Sequence, residues 1–505
     1  MAFLPPAIWV VPAFLLLLHL LPQPGYGVHR DELFYLAMGD HLALFGMGFP
    51  PLIALLAQLA RLLPLPLLVA LRLLPALAAA ALPLVAALIA RELGGTRRAQ
   101  LLAAVSVAVA PLFLRAGTLF QPVVFEQLWW SLALFALAVL LCRPDPRWWL
   151  LLGAALGLAA LTKFSVAFLG AGVLVAIMFS PLRRDLATRW PWLGALVALL
   201  LALPSLLGQV HYGWPFLAQM TALKAHQLGH FSPKDFVLGQ FLMLGPGMLL
   251  WLVGLGGLLL APRLRTWRPL GLLALTVFLL LLVGGGKDYY FGPVHPLLIA
   301  AAAVLLGAWF ERGKRTVAFA ALLLFLVAGG AALLPLGIPL LRYEAMARYA
   351  AALGLGRTTR TNYGTTLALP QDFADMTGWR EQVEVVARVF HALPPEEQAV
   401  AAILGNNYGR TAAVALYGRE FGLPYPVSRH GDFFFWGAGG KSGEVTIVIG
   451  GSAEEWREWF GEVTEAARSS NRWGVDEEQD VPVFVCRRPR VGLEEYLRRR
   501  GPYWG

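Results

Sequence analysis

Two adjacent carboxylates, Asp31 and Glu32, lie in the polar segment that follows the first long apolar run of the chain. A carboxylate held at a membrane surface can take a proton from an acceptor hydroxyl while a lipid-linked phosphate leaves. Acids are also favoured at helix N-termini, so capping of a short helix is the alternative role for this pair. Adjacent helical residues point about 100° apart, and we therefore expect only one of the two acids to face a reacting group.

Three cations, Arg72, Lys163 and Lys287, lie near the ends of apolar runs, where a charge is costly to keep. Such side chains commonly extend to the membrane interface without any further role. They are also suited to bind an anionic phosphate through charge-assisted hydrogen bonds. We take all three as candidate phosphate-binding residues and leave the interfacial role as the alternative.

Further polar and aromatic residues lie at the ends of other apolar runs. Glu126 precedes the run at 128–142, where it is either an interfacial acid at a helix N-terminus or a ligand for an acceptor or a metal ion. Tyr289, Tyr290 and His295 are candidates to line a polar cavity, and an aromatic belt at the interface is the alternative for the tyrosines. His226 and His230 have the i,i+4 spacing of helical metal ligands, but the sequence offers no third ligand.

Eleven apolar segments must position these residues. A membrane-spanning helix needs about 20 predominantly apolar residues. The predicted spans lie near 6–22, 66–90, 99–114, 128–142, 148–161, 164–180, 192–209, 238–260, 269–284, 292–310 and 316–334. The polar first loop also contains two amphipathic stretches, 31–45 and 52–63, which we expect to form helices that lie in the membrane interface.

Basic residues in alternate loops predict the orientation of the spans. One set of loops contains fourteen, namely Arg91, Arg97, Arg98, Arg143, Arg147, Arg183, Arg184, Arg189, Arg263, Arg265, Arg268, Arg312, Lys314 and Arg315. The other set contains six, namely Arg30, Arg115, Lys163, Lys224, Lys234 and Lys287. The positive-inside rule places the first set in the cytoplasm, so the candidate site residues and the C-terminus are expected outside.

The same distribution of charge argues against nucleic-acid binding. The net charge of +10 comes with only 14% charged residues and 58% hydrophobic residues, and much of the excess is arginine in short loops. The two cysteines, Cys142 and Cys486, are expected on opposite sides of the membrane and should not pair. We expect a multi-pass inner-membrane protein rather than a soluble one.

Residues 341–505 have the composition of a soluble domain, whereas residues 1–340 form the membrane part. Residues 382–393 are predicted to be helical, as is a segment that ends near 419. Strands are predicted at 400–404, 444–449 and 483–485, which indicates a small extracytoplasmic α/β domain. Within it, Asn407, Tyr408, His430 and Trp436 are candidates to face the site.

Several segments resemble glycosyltransferase family 39, which includes protein O-mannosyltransferases and bacterial lipid A aminoarabinose transferases. The main likeness is the first-loop signature His29-Arg30-Asp31-Glu32-Leu33-Phe34-Tyr35 followed by Gly48-Phe49-Pro50-Pro51-Leu52. Weaker likenesses are 120–128, 161–164, 286–290 and 407–409. The chain departs from some relatives in having Gln121-Pro122 where they have an Asp-Pro pair.

The resemblance implies a mainly α, C-type glycosyltransferase fold, a polyprenyl-phosphate-linked sugar donor, and inversion at the anomeric carbon. It implies that an acid of the first loop, here Asp31, is the catalytic base, with Glu32 as its rival. The family often uses an acid at the position of Glu126 to bind the acceptor or a divalent metal ion. The acceptor is left open among a glycan, a lipid and a protein.

Two other classes of protein are alternatives to a membrane glycosyltransferase. A lipid or glycan transporter or flippase should have ionisable residues or broken helices at mid-membrane, often with internal repeats. A non-catalytic scaffold would not need acids and bases concentrated in the loops of one side. The ionisable residues here lie at span ends and no repeat is seen, so the sequence favours the enzyme.

Overall fold

The computed structural model describes residues 4–21, 23–226, 232–312, 315–354 and 365–504. The part up to residue 337 is helical. Its α-helices are α1 (Pro6–His19), α2 (Arg30–Asp40), α3 (Leu52–Leu62), α4 (Leu67–Glu92), α5 (Arg97–Ala108), α6 (Pro111–Thr118), α7 (Pro122–Leu140), α8 (Trp148–Thr162), α9 (Val166–Met178), α10 (Trp190–His211), α11 (Pro215–His226), α12 (Pro233–Leu242), α13 (Leu250–Leu260), α14 (Arg268–Val283), α15 (His295–Glu311) and α16 (Thr316–Gly337).

Each of the eleven predicted spans contains at least one of these helices. Among the described residues, six helical segments are long and apolar enough to cross a membrane, or up to nine if each bent pair forms one span. The remaining two predicted spans are the shorter apolar helices α1 and α8, of 14 and 15 residues. A multi-pass membrane protein is therefore confirmed, and the count of eleven stays a prediction.

Two of the predicted spans are bent, and a third bend follows the end of the predicted span 164–180. α5 and α6 meet at 58°, and the segment from α12 to α13 turns by 109°. The second break falls at Gly245-Pro246-Gly247, where proline removes a backbone donor and Gly245 adopts a positive φ of 53°. α9 meets the 3-10 helix Pro181–Ala187 at 95°. The first two breaks lie within an apolar run, and the third lies at the end of one.

The two amphipathic stretches of the first loop form α2 and α3, as predicted, and these helices pack on each other. α2 also packs on a helix of the C-terminal region, so it lies between the two parts of the chain. Its N-terminus carries the Asp31–Glu32 pair. Whether α2 and α3 lie in the membrane interface stays a prediction.

The C-terminal region is an α/β structure. Its helices are α17 (Tyr343–Ala352), α18 (Gln371–Ala374), α19 (Trp379–His391), α20 (Pro395–Val400), α21 (Tyr408–Tyr417), α22 (Phe433–Trp436), α23 (Ala453–Arg457), α24 (Asp476–Gln479) and α25 (Leu493–Arg500). Its strands are β1 (Ala402–Gly405), β2 (Val445–Ile449), β3 (Phe460–Ser470) and β4 (Asp480–Pro489). The predicted small α/β region is confirmed.

The four strands form one mixed sheet in the order β1-β2-β4-β3. β1 pairs parallel with β2, and β4 pairs antiparallel with both β2 and β3. β3 was not predicted because it is an edge strand whose residues are mostly exposed, so its sequence is polar and lacks the apolar alternation of an interior strand.

One hydrophobic core joins the membrane part to the C-terminal region. Leu33 of α2 and Ile53 of α3 belong to the same buried cluster as Trp379 of α19 and Ile447 of β2. The division at residue 341 stays a prediction of domain organisation, but the core crosses it. The C-terminal region is therefore packed directly over the first loop.

Candidate active site

The first turn of α2 is fixed by its own residues. The backbone N–H of Asp31 donates to His29 Nδ1 at 3.0 Å, and the backbone N–H of His29 donates to Glu32 Oε2 at 2.8 Å. This reciprocal capping satisfies donors that a helix N-terminus would otherwise leave unpaired. It also directs Glu32 back into the protein and leaves Asp31 on a different face.

Glu32 is completely buried and its carboxylate is surrounded by protein donors. Glu32 Oε1 accepts from the backbone N–H of Phe120 at 2.7 Å and from the Arg72 guanidinium. Arg72 also donates to Gln23 Oε1 at 3.3 Å and to the carbonyl oxygen of Gly27 at 3.2 Å. Glu32 and Arg72 thus form a buried pair that ties α2 to α4.

Asp31 is half-buried and lies between two neutral donors. Gln121 Nε2 donates to Asp31 Oδ2 at 2.8 Å, and the Tyr408 hydroxyl donates to Asp31 Oδ1 at 2.7 Å. Gln121 immediately precedes α7, and Tyr408 begins α21 in the C-terminal region. Because an ionised carboxylate has about four lone-pair sites, both oxygens retain capacity for another donor.

Glu126 and Lys163 are brought together with the two tyrosines. Lys163 Nζ donates to Glu126 Oε2 at 3.2 Å, and the Ser165 hydroxyl donates to Glu126 Oε1. The same Nζ lies 5.1 Å from the ring centroid of Tyr289 and 4.1 Å from that of Tyr290. Glu126 is 1% exposed, whereas the Lys163 side chain is 23% exposed. The ammonium group is thus held at the rim of the site by a carboxylate and aromatic faces.

Lys287 and Arg115 add positive charge to the same region. Lys287 interacts electrostatically with Asp31, Lys163 and Arg115, and burial, reinforced by the charge of Lys163, lowers the pKa of its ammonium group. Arg115 pairs with Asp372 of the C-terminal region. Sequence reasoning counted Arg115 only as a loop charge. The sequence did contain a signal for Arg115, because it is a basic residue in a set of loops where positive charge is scarce.

His295 does not share the exposure of Tyr289 and Tyr290. It is completely buried, packs on Phe291 and Trp251, and contacts Gln240 Oε1 at 3.1 Å. The expectation that His295 lines the cavity is not matched by this environment. Its polar neighbour Gln240 explains how a histidine is accommodated among apolar helices.

Of the four candidates in the C-terminal region, only Tyr408 contacts Asp31. Asn407 caps α21 and donates to Glu478 Oε1 at 2.7 Å. His430 is buried beside Ser428, and burial lowers the pKa of its imidazole to about 3, so it is neutral. Trp436 stacks on His41 at the end of α2, with ring centroids 4.1 Å apart.

The Gly48 peptide of the first-loop signature is held from two sides. Its N–H donates to Asp432 Oδ1 at 3.1 Å, and its carbonyl oxygen accepts from Gln209 Nε2 at 2.6 Å. A Cβ at position 48 would lie 2.4 Å from Asp432 Oδ1, so this close approach requires glycine. Burial raises the pKa of the Asp432 carboxyl to about 7. Sequence reasoning did not find Asp432, which has no recognisable motif around it.

No metal site is apparent in the described part of the chain. There, no three His, Cys, Asp or Glu side chains are grouped to hold an ion. His230 lies outside the described residues, and only the backbone of His226 is described. The proposed pair of histidine ligands therefore stays a hypothesis.

The comparisons with known proteins concern the family and the fold of the chain. Residues 49–207 match the family model described as dolichyl-phosphate-mannose-protein mannosyltransferase. The matched segment begins at Phe49 of the first-loop signature and includes Glu126 and Lys163. No curated protein matches the sequence.

Among solved structures, the chain is similar to ArnT from Cupriavidus metallidurans bound to undecaprenyl phosphate. The TM-score is 0.58 at 16% identity, with 95% of this chain and 97% of that chain covered, and the apo state of ArnT gives the same values. The Archaeoglobus fulgidus oligosaccharyltransferase gives a TM-score of 0.48 at 14% identity, covering 81% of this chain and 62% of that chain, and is too distant to support the assignment. The C-type glycosyltransferase fold is confirmed, as is the resemblance that predicted it.

Proposed function

We propose that this membrane glycosyltransferase of the C-type fold moves a sugar from a polyprenyl-phosphate donor to an acceptor hydroxyl, with inversion at the anomeric carbon. The observation that carries the proposal is the environment of Asp31. Its carboxylate is half-buried, is oriented by two neutral donors, and lies within electrostatic range of Lys287. A base beside a cluster of cations suits a reaction that removes a proton and releases a phosphate.

In the proposed reaction, Asp31 takes the proton of the acceptor hydroxyl as that oxygen bonds to the anomeric carbon. The bond from the anomeric carbon to the phosphate oxygen breaks, and its electron pair leaves with the polyprenyl phosphate. Attack opposite the leaving group inverts the configuration. The departing phosphate is already a weak base, so one carboxylate suffices where soluble glycosidases use two.

We assign the donor phosphate to Lys287 and Lys163, with Arg115 as a third cation beside them. The electrostatic coupling of Lys287 to the other two supports this assignment. Glu126 is buried beneath Lys163 and Ser165, which favours a role in orienting Lys163 over binding an acceptor or a metal ion. The contacts of Arg72 within the protein favour a role in holding Glu32 over binding phosphate.

We further propose that the site lies on the outer face of the inner membrane. Asp31, Lys163, Lys287 and Arg115 belong to the loops that carry six basic residues, and Lys287 interacts electrostatically with the other three. Basic residues of the other set contact different neighbours: for example, Arg143 pairs with Glu92. This grouping supports the orientation predicted by the loop charges.

The proposal makes the partners a polyprenyl-phosphate-linked sugar and an acceptor that is a lipid, a glycan or a protein. ArnT, which shares the fold, was solved bound to undecaprenyl phosphate. That likeness supports a donor of the same chemical class for this chain. Neither the sugar nor the acceptor follows from the site residues described.

The test compares membrane lipids and envelope glycans by mass spectrometry in cells without the protein, with the parent, and with Asp31→Asn or Glu32→Gln at matched membrane levels. The parent should add a sugar-modified species, and Asp31→Asn should reduce its formation by about 10²–10⁴-fold, as expected for loss of a general base. A parent that changes no lipid or glycan overturns the proposed function. Activity retained in Asp31→Asn but lost in correctly folded Glu32→Gln reverses the roles of the two acids.

A further inference from the structure

The C-terminal region reaches into the site through one side chain, Tyr408. The Tyr408 hydroxyl lies 2.7 Å from Asp31 Oδ1. An ionised carboxylate only accepts hydrogen bonds, so the phenol must be the donor. Asp31 and Tyr408 are separated by 377 positions in the chain, and the bond therefore exists only when the C-terminal region is packed on α2.

Tyr408 is held rigidly at the start of α21. Asn407 Oδ1 accepts from the backbone N–H of Arg410 at 2.8 Å and caps the helix. Asn407 and Arg410 both donate to the Glu478 carboxylate, at 2.7 and 3.0 Å. The Tyr408 ring packs against Phe34 of α2, with centroids 5.6 Å apart. The hydroxyl is thus presented by a fixed element rather than by a mobile loop.

Close packing at the next residue reinforces this placement. A Cβ on Gly409 would lie 2.7 Å from Arg30 Cγ and 2.9 Å from Trp379 Cη2. The Arg30 guanidinium, which follows His29 in the capping turn, pairs with Asp375 at 2.6 Å and lies 6.0 Å from the Tyr408 ring centroid. Contacts on both sides of the Asp31–Tyr408 hydrogen bond therefore hold the two turns in a fixed relative position.

The phenol remains a donor over the whole working range of pH. Burial, reinforced by the negative charge of Asp31, raises the pKa of Tyr408 well above its ordinary value. A donor to a carboxylate favours the charged form of that carboxylate. The other titratable groups that act on or lie beside Asp31 are His29, Arg30, Glu32, Tyr35, Lys287 and Asp375.

We propose that Tyr408 is a positioning residue supplied by the C-terminal region, whose hydroxyl holds the Asp31 carboxylate with its remaining lone pairs toward the acceptor. The inference rests on the proposed function of Asp31 as the base. Gln121 fixes the opposite oxygen, so the two donors together set the plane of the carboxylate. The C-terminal region is then part of the catalytic unit.

The experiment uses the full chain reconstituted in lipid and compares Tyr408→Phe with Tyr417→Phe, a matched control on the same helix. Tyr408→Phe should lower kcat by about 10- to 100-fold, the loss expected for a hydrogen bond to a charged group, with KM for the donor little changed. The acid limb of the pH–kcat profile should move to higher pH. Tyr417→Phe should keep the parental kcat and profile.

A second variant keeps the inference testable if Tyr408→Phe does not fold correctly. Incorporation of 3-fluorotyrosine at position 408 nearly preserves shape and strengthens the hydrogen-bond donor, so the acid limb should move to lower pH. Unchanged kcat and unchanged profiles in both proteins, with Asp31→Asn inactive, would overturn the inference while leaving the proposed function intact. A parent without sugar transfer, or an active Asp31→Asn, would instead reject the proposed function.

Discussion

We predict that the buried carboxyl of Asp432, which accepts from the first loop, makes the stability of the protein depend on pH. The carboxyl is 1% exposed, its Oδ1 accepts from the Gly48 N–H, and the backbone N–H of Phe49 also favours its charged form. Among the residues that the structure describes, its Oδ2 has no hydrogen-bond partner. Burial raises its pKa from 3.8 to about 7. A carboxyl whose pKa is raised on folding binds its proton more tightly in the folded state, so the unfolding free energy falls as pH rises from about 4 to about 7.

The size of this effect follows from the shift. A displacement of about three pH units corresponds to about 4 kcal/mol in full, since each unit is worth about 1.36 kcal/mol. Between pH 5 and pH 7 the loss is about 2 kcal/mol, because the folded-state group is already half ionised at pH 7. The Asp432→Asn variant keeps an oxygen to accept from Gly48 but cannot ionise, so this part of the pH dependence should disappear.

The assay is the midpoint of thermal unfolding of the full chain at pH 5, 6, 7 and 8. The midpoint of Asp432→Asn minus that of the parent should increase by a few degrees from pH 5 to pH 7, so the variant is relatively more stable at the higher pH. Asp480→Asn, at an exposed position of the same region, is the control and should parallel the parent. Equal pH slopes in the parent and in Asp432→Asn would refute the reasoning, whatever their absolute stabilities.

Two further predictions concern the donor site and the topology. Lys163→Met and Lys287→Met should each weaken binding of a polyprenyl phosphate by about 10- to 150-fold, as expected for a lost charge-assisted hydrogen bond, whereas Lys234→Met should bind like the parent. Parental affinity in both variants would leave the two lysines as interfacial anchors. A reporter fused after Gly505 should give an extracytoplasmic signal, and a cytoplasmic signal would contradict the orientation predicted from the loop charges.

The sequence was sufficient to predict the features that depend on composition and on the spacing of apolar residues. Runs of apolar residues predicted the membrane helices, and apolar segments rich in β-branched residues predicted β1, β2 and the centre of β4. β3 was missed because an edge strand buries little. The bends were missed because hydropathy does not register how Gly245-Pro246-Gly247 breaks a helix within one apolar run.

The types of residue at the candidate site could be predicted from the sequence, but the partners that these residues contact could not. Spacing alone did not separate Asp31 from Glu32, and their environments differ in the structure because the capping turn sends Glu32 toward Arg72 and the Phe120 N–H. Arg72 resembled Lys163 in sequence, since both are cations near the end of an apolar run. Only the packed structure reveals that Arg72 donates to three groups of the protein. Such distant pairings carry no local signal in a single sequence.

The contacts of the first loop explain why a C-terminal α/β region accompanies the membrane helices. Arg30, Asp31 and Gly48 each bond to a side chain of that region, namely Asp375, Tyr408 and Asp432. Arg115, beside the proposed phosphate site, bonds to Asp372 of the same region. A short amphipathic helix has little stability of its own in water, so α2 needs such packing to keep its first turn in place. The position of the Asp31 carboxylate therefore depends on a surface whose residues lie hundreds of positions away in the chain.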